Sequence, residues 1–121
     1  MKVIIDLVED LREAISNQEN FRLMAMLLKA DKEDEERLIY AGEAHLNSYI
    51  INTEKRELLF SIDSSKENLS IKEIIAPLLI LPIADMMYEI RICVSEQYFN
   101  MEIVGFAKNE EEKKYFLMLK V

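Results

Sequence analysis

His45 and Cys93 are the only histidine and the only cysteine in this 121-residue chain, and they are the first places to look for chemistry. Glu43 and His45 form an E-x-H pair. A transition-metal site needs three or four ligands at matched spacing, and one histidine with one carboxylate falls short of that. Cys93 stands between Ile92 and Val94 in an alternating apolar run. It has no CxxC partner and no base beside it in sequence, which describes a buried, inert thiol. Ser64 and Ser65 lack the G-x-S-x-G context that raises a serine on a strained turn. Gly42 and Gly105 are isolated, whereas a phosphate cradle needs clustered glycines. Acid–base work by carboxylates requires one with a raised pKa in a pocket, and the sequence singles out no such pair. The chain therefore offers no catalytic residue, no metal ligand and no cofactor motif.

The bulk properties narrow the function classes. The net charge is −8, from 23 acids against 15 bases. Residues 1–60 contribute −5 and residues 61–121 contribute −3, so the excess is spread along the chain apart from the local run DKEDEE at 31–36. Nucleic-acid binding depends on neutralising phosphates with Lys and Arg, and anionic membranes select basic segments. Both partners are excluded by this balance, whereas a protein with a basic surface is favoured. A lone cysteine and an N-terminal stretch interrupted by acids from Asp6 onward predict a cytoplasmic protein without a disulfide. With two glycines and two prolines there is no flexible tether, and residues 1–121 read as a single globular domain.

The elements that position these residues follow from periodicity. Ile4, Leu7, Val8, Leu11 and Ile15 recur at three- and four-residue spacing, predicting an amphipathic helix over 2–16. SNQEN at 16–20 is its polar stop. FRLMAMLLKA at 21–30 has helix-forming composition, but its length and the charged turn after it favour a strand that returns as RLIYAGEA at 37–44. SYIINTEKRELLFSID at 48–63 alternates on both arms. A turn at 54–57 would place Ile51 opposite Phe60 and Tyr49 opposite Ile62. Ser70 and Glu73 have capping-box spacing ahead of IIAPLLILPIA at 74–84. That run is too short to span a bilayer, and its all-round apolarity predicts a buried core helix over 71–81. Three strands close the chain at 86–95, 98–107 and 114–121, with Arg91 opposite Glu102.

The resulting expectation is an α+β fold with a mostly antiparallel sheet in the order α-β-β-β-β-α-β-β-β. One sheet face, with Tyr88, Ile90, Ile92, Phe99, Ile103, Leu117 and Leu119, is the core. The opposite face carries Val104, Phe106, Phe116 and Met118, enough apolar surface to mark an interaction site unless helix 2–16 covers it. Size, acidity and mixed helix–strand order resemble small acidic secretion chaperones and toxin-neutralising immunity proteins; the resemblance rests on no motif and transfers no site residue. The leading expectation is a non-catalytic binding protein of adaptor, chaperone or inhibitor type that forms a homodimer through that face. The alternative is a small-molecule or sensory domain with a pocket between core helix and sheet. A small enzyme is the third reading.

Overall fold

The computed structural model describes residues 1–15, 19–63 and 65–121. The polar stop expected at 16–20 falls partly outside them, as does Ser64. Helix α1 spans Ile4–Ile15 and buries Ile4, Leu7, Val8, Leu11 and Ala14. Asp6 sets its start: the Val3 amide donates to the Asp6 carboxylate at 2.9 Å, satisfying one of the amides that a helix N-terminus leaves open. Strands β1 (Arg22–Ala30), β2 (Leu38–His45), β3 (Ser48–Asn52) and β4 (Glu57–Ser61) precede helix α2 (Ile71–Leu79) and a 3-10 helix (Ile83–Met87). Strands β5 (Glu89–Cys93), β6 (Met101–Asn109) and β7 (Lys114–Lys120) follow. The fold is α+β, and the ambiguous segment 21–30 is a strand.

All seven strands form one sheet in the order β2-β1-β7-β6-β5-β4-β3. It is mixed, which corrects the expectation of a mostly antiparallel sheet: β1 runs parallel to β7 and β4 parallel to β5. The second pairing has a local cause. Helix α2 lies in the connection between β4 and β5, and a helical crossover returns the chain in the same direction. The first arises because the hairpin β1–β2 docks beside the last strand, a neighbour 92 residues away that no turn specifies.

The order of strands has a further consequence. Strands β2 and β3 occupy opposite edges of the sheet, yet only Leu46 and Asn47 separate them in the chain. Three residue steps reach about 10 Å, whereas six strand spacings in a flat sheet cover about 29 Å. The sheet must roll until its edges meet at this link. Leu46 is fully buried there. Its amide donates to the Leu23 carbonyl, and its carbonyl accepts from Leu69, both at 3.1 Å. The start of β1, the β2–β3 link and the entry to α2 are thus tied at one corner.

Both helices lie on the same face of the rolled sheet. Their apolar residues share one core with Leu58, Phe60, Ile90, Ile92, Ile103, Leu117 and Leu119. Helix 2–16 therefore does not cover the second face. Four local expectations are corrected. In the β3–β4 hairpin Ile51 faces Leu58 and Tyr49 faces Phe60. The turn occupies 53–56, one residue earlier than the spacing predicts, because Arg56 adopts φ 54° and the Lys55 amide is held by the Asn52 side chain. Phe99 is 65% exposed rather than core, since β6 begins only at Met101. The Ser70 hydroxyl meets the Glu73 carboxylate directly at 3.2 Å instead of capping an amide. The Ile71 amide donates instead to the Phe21 carbonyl. Arg91 and Glu102 are register partners as expected, but Arg91 pairs with Glu89 on its own strand at 2.9 Å.

Candidate functional site

The apolar run 74–84 supplies the most exposed hydrophobic surface of the fold. Helix α2 continues through Pro77. Ile71, Ile74 and Leu78, spaced three and four apart, are buried against the core. The expectation that 71–81 is buried throughout is corrected at the end of the helix. Leu79 and Ile80 are exposed, Ile80 at 84%, and beyond Pro82 so are Ile83 at 90% and Met87 at 65%. The reason is geometric. A single helix on one sheet has one face to bury, so the apolar residues of its remaining faces meet solvent. Pro82 then stops the helix, the Asp85 amide donating to its carbonyl at 2.9 Å to begin the 3-10 turn. Leu79 and Ile80 precede Pro82 and Ile83 and Met87 follow it, so four exposed apolar side chains fall within nine residues of chain, a knuckle at the end of α2.

The second sheet face has a different character. Of the four residues expected to form an apolar patch there, three share it. Val104 is 46% exposed, Met118 is half-buried, and Phe116 is buried at 4% exposure. Phe106 lies on the helix-covered face. Register shifts between Ile103 and Gly105, and a bulge of this kind turns every later side chain to the other face. Phe106 accordingly stacks on Tyr115 and packs against the core. A Cβ on Gly105 would sit 2.7 Å from the Met118 methyl, so the glycine leaves room for Met118 to lie across β6.

Across β2, β1, β7 and β6 this face opens into a groove of about 820 Å3. Met26, Ala107 and Phe116 contribute its apolar lining, Tyr40 and Glu43 one side, and the β6–β7 turn the other. Lys114 lies within it, its side chain 16% exposed, bonded to Glu43 and 3.1 Å from Glu112. These two carboxylates, Glu43 first, raise the Lys114 ammonium above the ordinary lysine range. Desolvation and then Glu43 raise the Tyr40 phenol.

The residues that suggested chemistry are not brought together. His45 ends edge strand β2 and Cys93 ends β5; the Cys93 thiol donates to the Ser95 carbonyl at 3.9 Å rather than to His45. No group of three or more His, Cys, Asp or Glu among the described residues could hold a metal ion. Among them, too, no helix is long and apolar enough to cross a membrane. The exposure of Ile80 and Ile83 was missed because a run of uniform apolarity carries no period to mark which residues face inward. Pro77 and Pro82, which interrupt the run, were the available signal. No protein-family model matches the chain, and no curated protein or solved structure matches it either.

Proposed function

We propose that the chain is a non-catalytic binding protein that engages another protein through the knuckle Leu79, Ile80, Ile83 and Met87. The observation that carries this reading is the exposure of Ile80 and Ile83, at 84% and 90%, three residues apart on either side of Pro82. Four side chains of this size expose an apolar area on the order of a few hundred Å2, the scale that marks contact surfaces. Burying two isoleucines would contribute about 3–6 kcal/mol before the costs of association. The pocket expected between core helix and sheet has less support, since Ile71, Ile74 and Leu78 fill that space. The homodimer face has less support too, as only Val104 of its four residues is exposed. A cytoplasmic setting, without nucleic-acid or membrane partners, accords with the acidic balance and single cysteine.

The test is a photocrosslinker placed at residue 83 in the source cells, at native expression level. One stoichiometric adduct is expected, and Ile80→Asp should abolish it while leaving the thermal midpoint unchanged. No adduct beyond that formed by a crosslinker at exposed Lys120 overturns the proposal. An adduct with a second copy of the chain would identify the partner as itself.

A further inference from the structure

The groove on the second sheet face has an ordered, asymmetric chemistry. Four glutamates, Glu43, Glu110, Glu111 and Glu112, stand around it against two lysines, Lys108 and Lys114, leaving a local charge of −2. Both lysines are already engaged: Lys114 by Glu43 and Glu112, Lys108 by Glu110 at 3.2 Å. Glu111 makes no ion pair among the described residues. The turn that carries it is fixed, with the Glu112 amide donating to the Asn109 side chain at 3.1 Å and Lys113 at φ 56°. Tyr40 stands across from it, 59% exposed, with Met26 and Phe116 in the groove between.

Lys114 shows what this environment accepts. Its side chain is 16% exposed within the groove and its ammonium bridges two carboxylates, so the groove already seats one long cationic side chain. Aliphatic stem on apolar surface with the charge at an acidic rim is the way lysine and arginine partition. The second acidic run, 31–36, is a contrasting case. It joins β1 to β2 at the opposite end of those strands, its six residues are exposed or partly exposed, and it lines none of the described cavities.

We propose that this groove docks an extended basic segment of a partner protein, one lysine or arginine of which pairs with Glu111 on the β6–β7 turn while another lies over the Tyr40 ring on β2, the segment crossing Met26 between them. Charge complementarity selects the occupant: a neutral or acidic segment would leave the Glu111 carboxylate unpaired in a groove of net negative charge. The aromatic face adds a cation–π contact to the ion pair. The rim carboxylates also raise the encounter rate of a basic partner. This site is separate from the knuckle of α2 and stands or falls without it.

The probe is a fluorescein-labelled octapeptide of alternating arginine and glycine, titrated by polarisation at 150 mM salt. Glu111→Lys and Tyr40→Ala should each weaken binding about fivefold or more, the first through the lost ion pair and the second through the lost cation–π contact. Glu35→Lys, which changes the net charge as much as Glu111→Lys, should change it by less than about twofold. Ile80→Asp should leave it unaltered. Equal losses for the two charge reversals would show attraction to net charge only and overturn the proposal. So would a Tyr40→Ala variant that binds as the wild type, spermidine binding more tightly than the peptide, or no binding below about 1 mM. Both groove positions tested are exposed, and unchanged thermal midpoints establish that each variant is folded.

Discussion

The phenol of Tyr115 donates to the carboxylate of Asp10 across 105 residues of chain, joining β7 to α1 at 2.5 Å. Tyr115 is 1% exposed, so its hydroxyl has no water to turn to. Burial, and then the Asp10 carboxylate, hold the phenol well above its ordinary pKa of 10.0. The pair fixes the rotation of α1 over the sheet, since it stands at the margin of the helix's apolar stripe.

Tyr115→Phe should cost about 1–2 kcal/mol in urea melts at neutral pH, the range for a hydrogen bond to a charged group that water can partly resolvate. The same pair predicts an alkaline limb. Below pH 10 both folded and unfolded chains hold the phenolic proton, and the contribution is fully present. Above it the unfolded tyrosine ionises while the folded one does not, so stability falls as pH rises. The wild type should lose more stability than Tyr115→Phe between pH 8 and pH 10.5. Parallel loss in the two proteins would remove Tyr115 as the cause.

Leu78 and Ile80 lie two residues apart in one apolar run but in opposite environments, at 1% and 84% exposure. Leu78→Ala should cost about 2–5 kcal/mol, the range for truncating a large core side chain. Ile80→Ala should change stability by no more than about 0.5 kcal/mol. Equal costs at the two positions would mean that Ile80 is also packed.

Asn47 is, with Tyr115, a buried side chain that carries a polar group, and it sits on the link that joins the two sheet edges. Its Oδ1 accepts from the Asp63 amide, and its Nδ2 donates to the Lys66 carbonyl at 3.4 Å. Asn47→Leu leaves both backbone groups unpaired and should cost about 1–3 kcal/mol. Hydrogen exchange at the Asp63 amide should accelerate in that variant by more than at Ile90, in the core.

An acidic chain of net charge −8 should not bind nucleic acid. Titration of labelled duplex and single-stranded DNA and RNA at low salt is expected to show no micromolar complex. Binding that weakens steeply with salt would require a basic surface, for which 15 bases against 23 acids leave little room.

Local pattern determined a good deal here. Alternation marked the strands and their inward residues, because the side chains of a strand change face at every step: Ile90, Ile92, Leu117 and Leu119 are all buried as it implies. The short connection between β5 and β6 set Arg91 opposite Glu102 for the same local reason. The three-and-four spacing of Leu7, Val8 and Leu11 fixed the buried face of α1.

Only the tertiary structure decided which strands are neighbours and which apolar residues stay exposed. The parallel contact of β1 with β7, and the rolling of the sheet about Leu46, depend on segments that meet across most of the chain. The bulge at Ile103–Gly105 moved Phe106 to the opposite face from Phe116. A one-residue insertion in the ladder leaves no trace in hydrophobicity, because both residues are apolar either way. Ile80 and Leu78 are chemically alike for the same purpose. What separates them is the direction each side chain takes from the helix axis relative to a sheet whose position the helix itself does not encode.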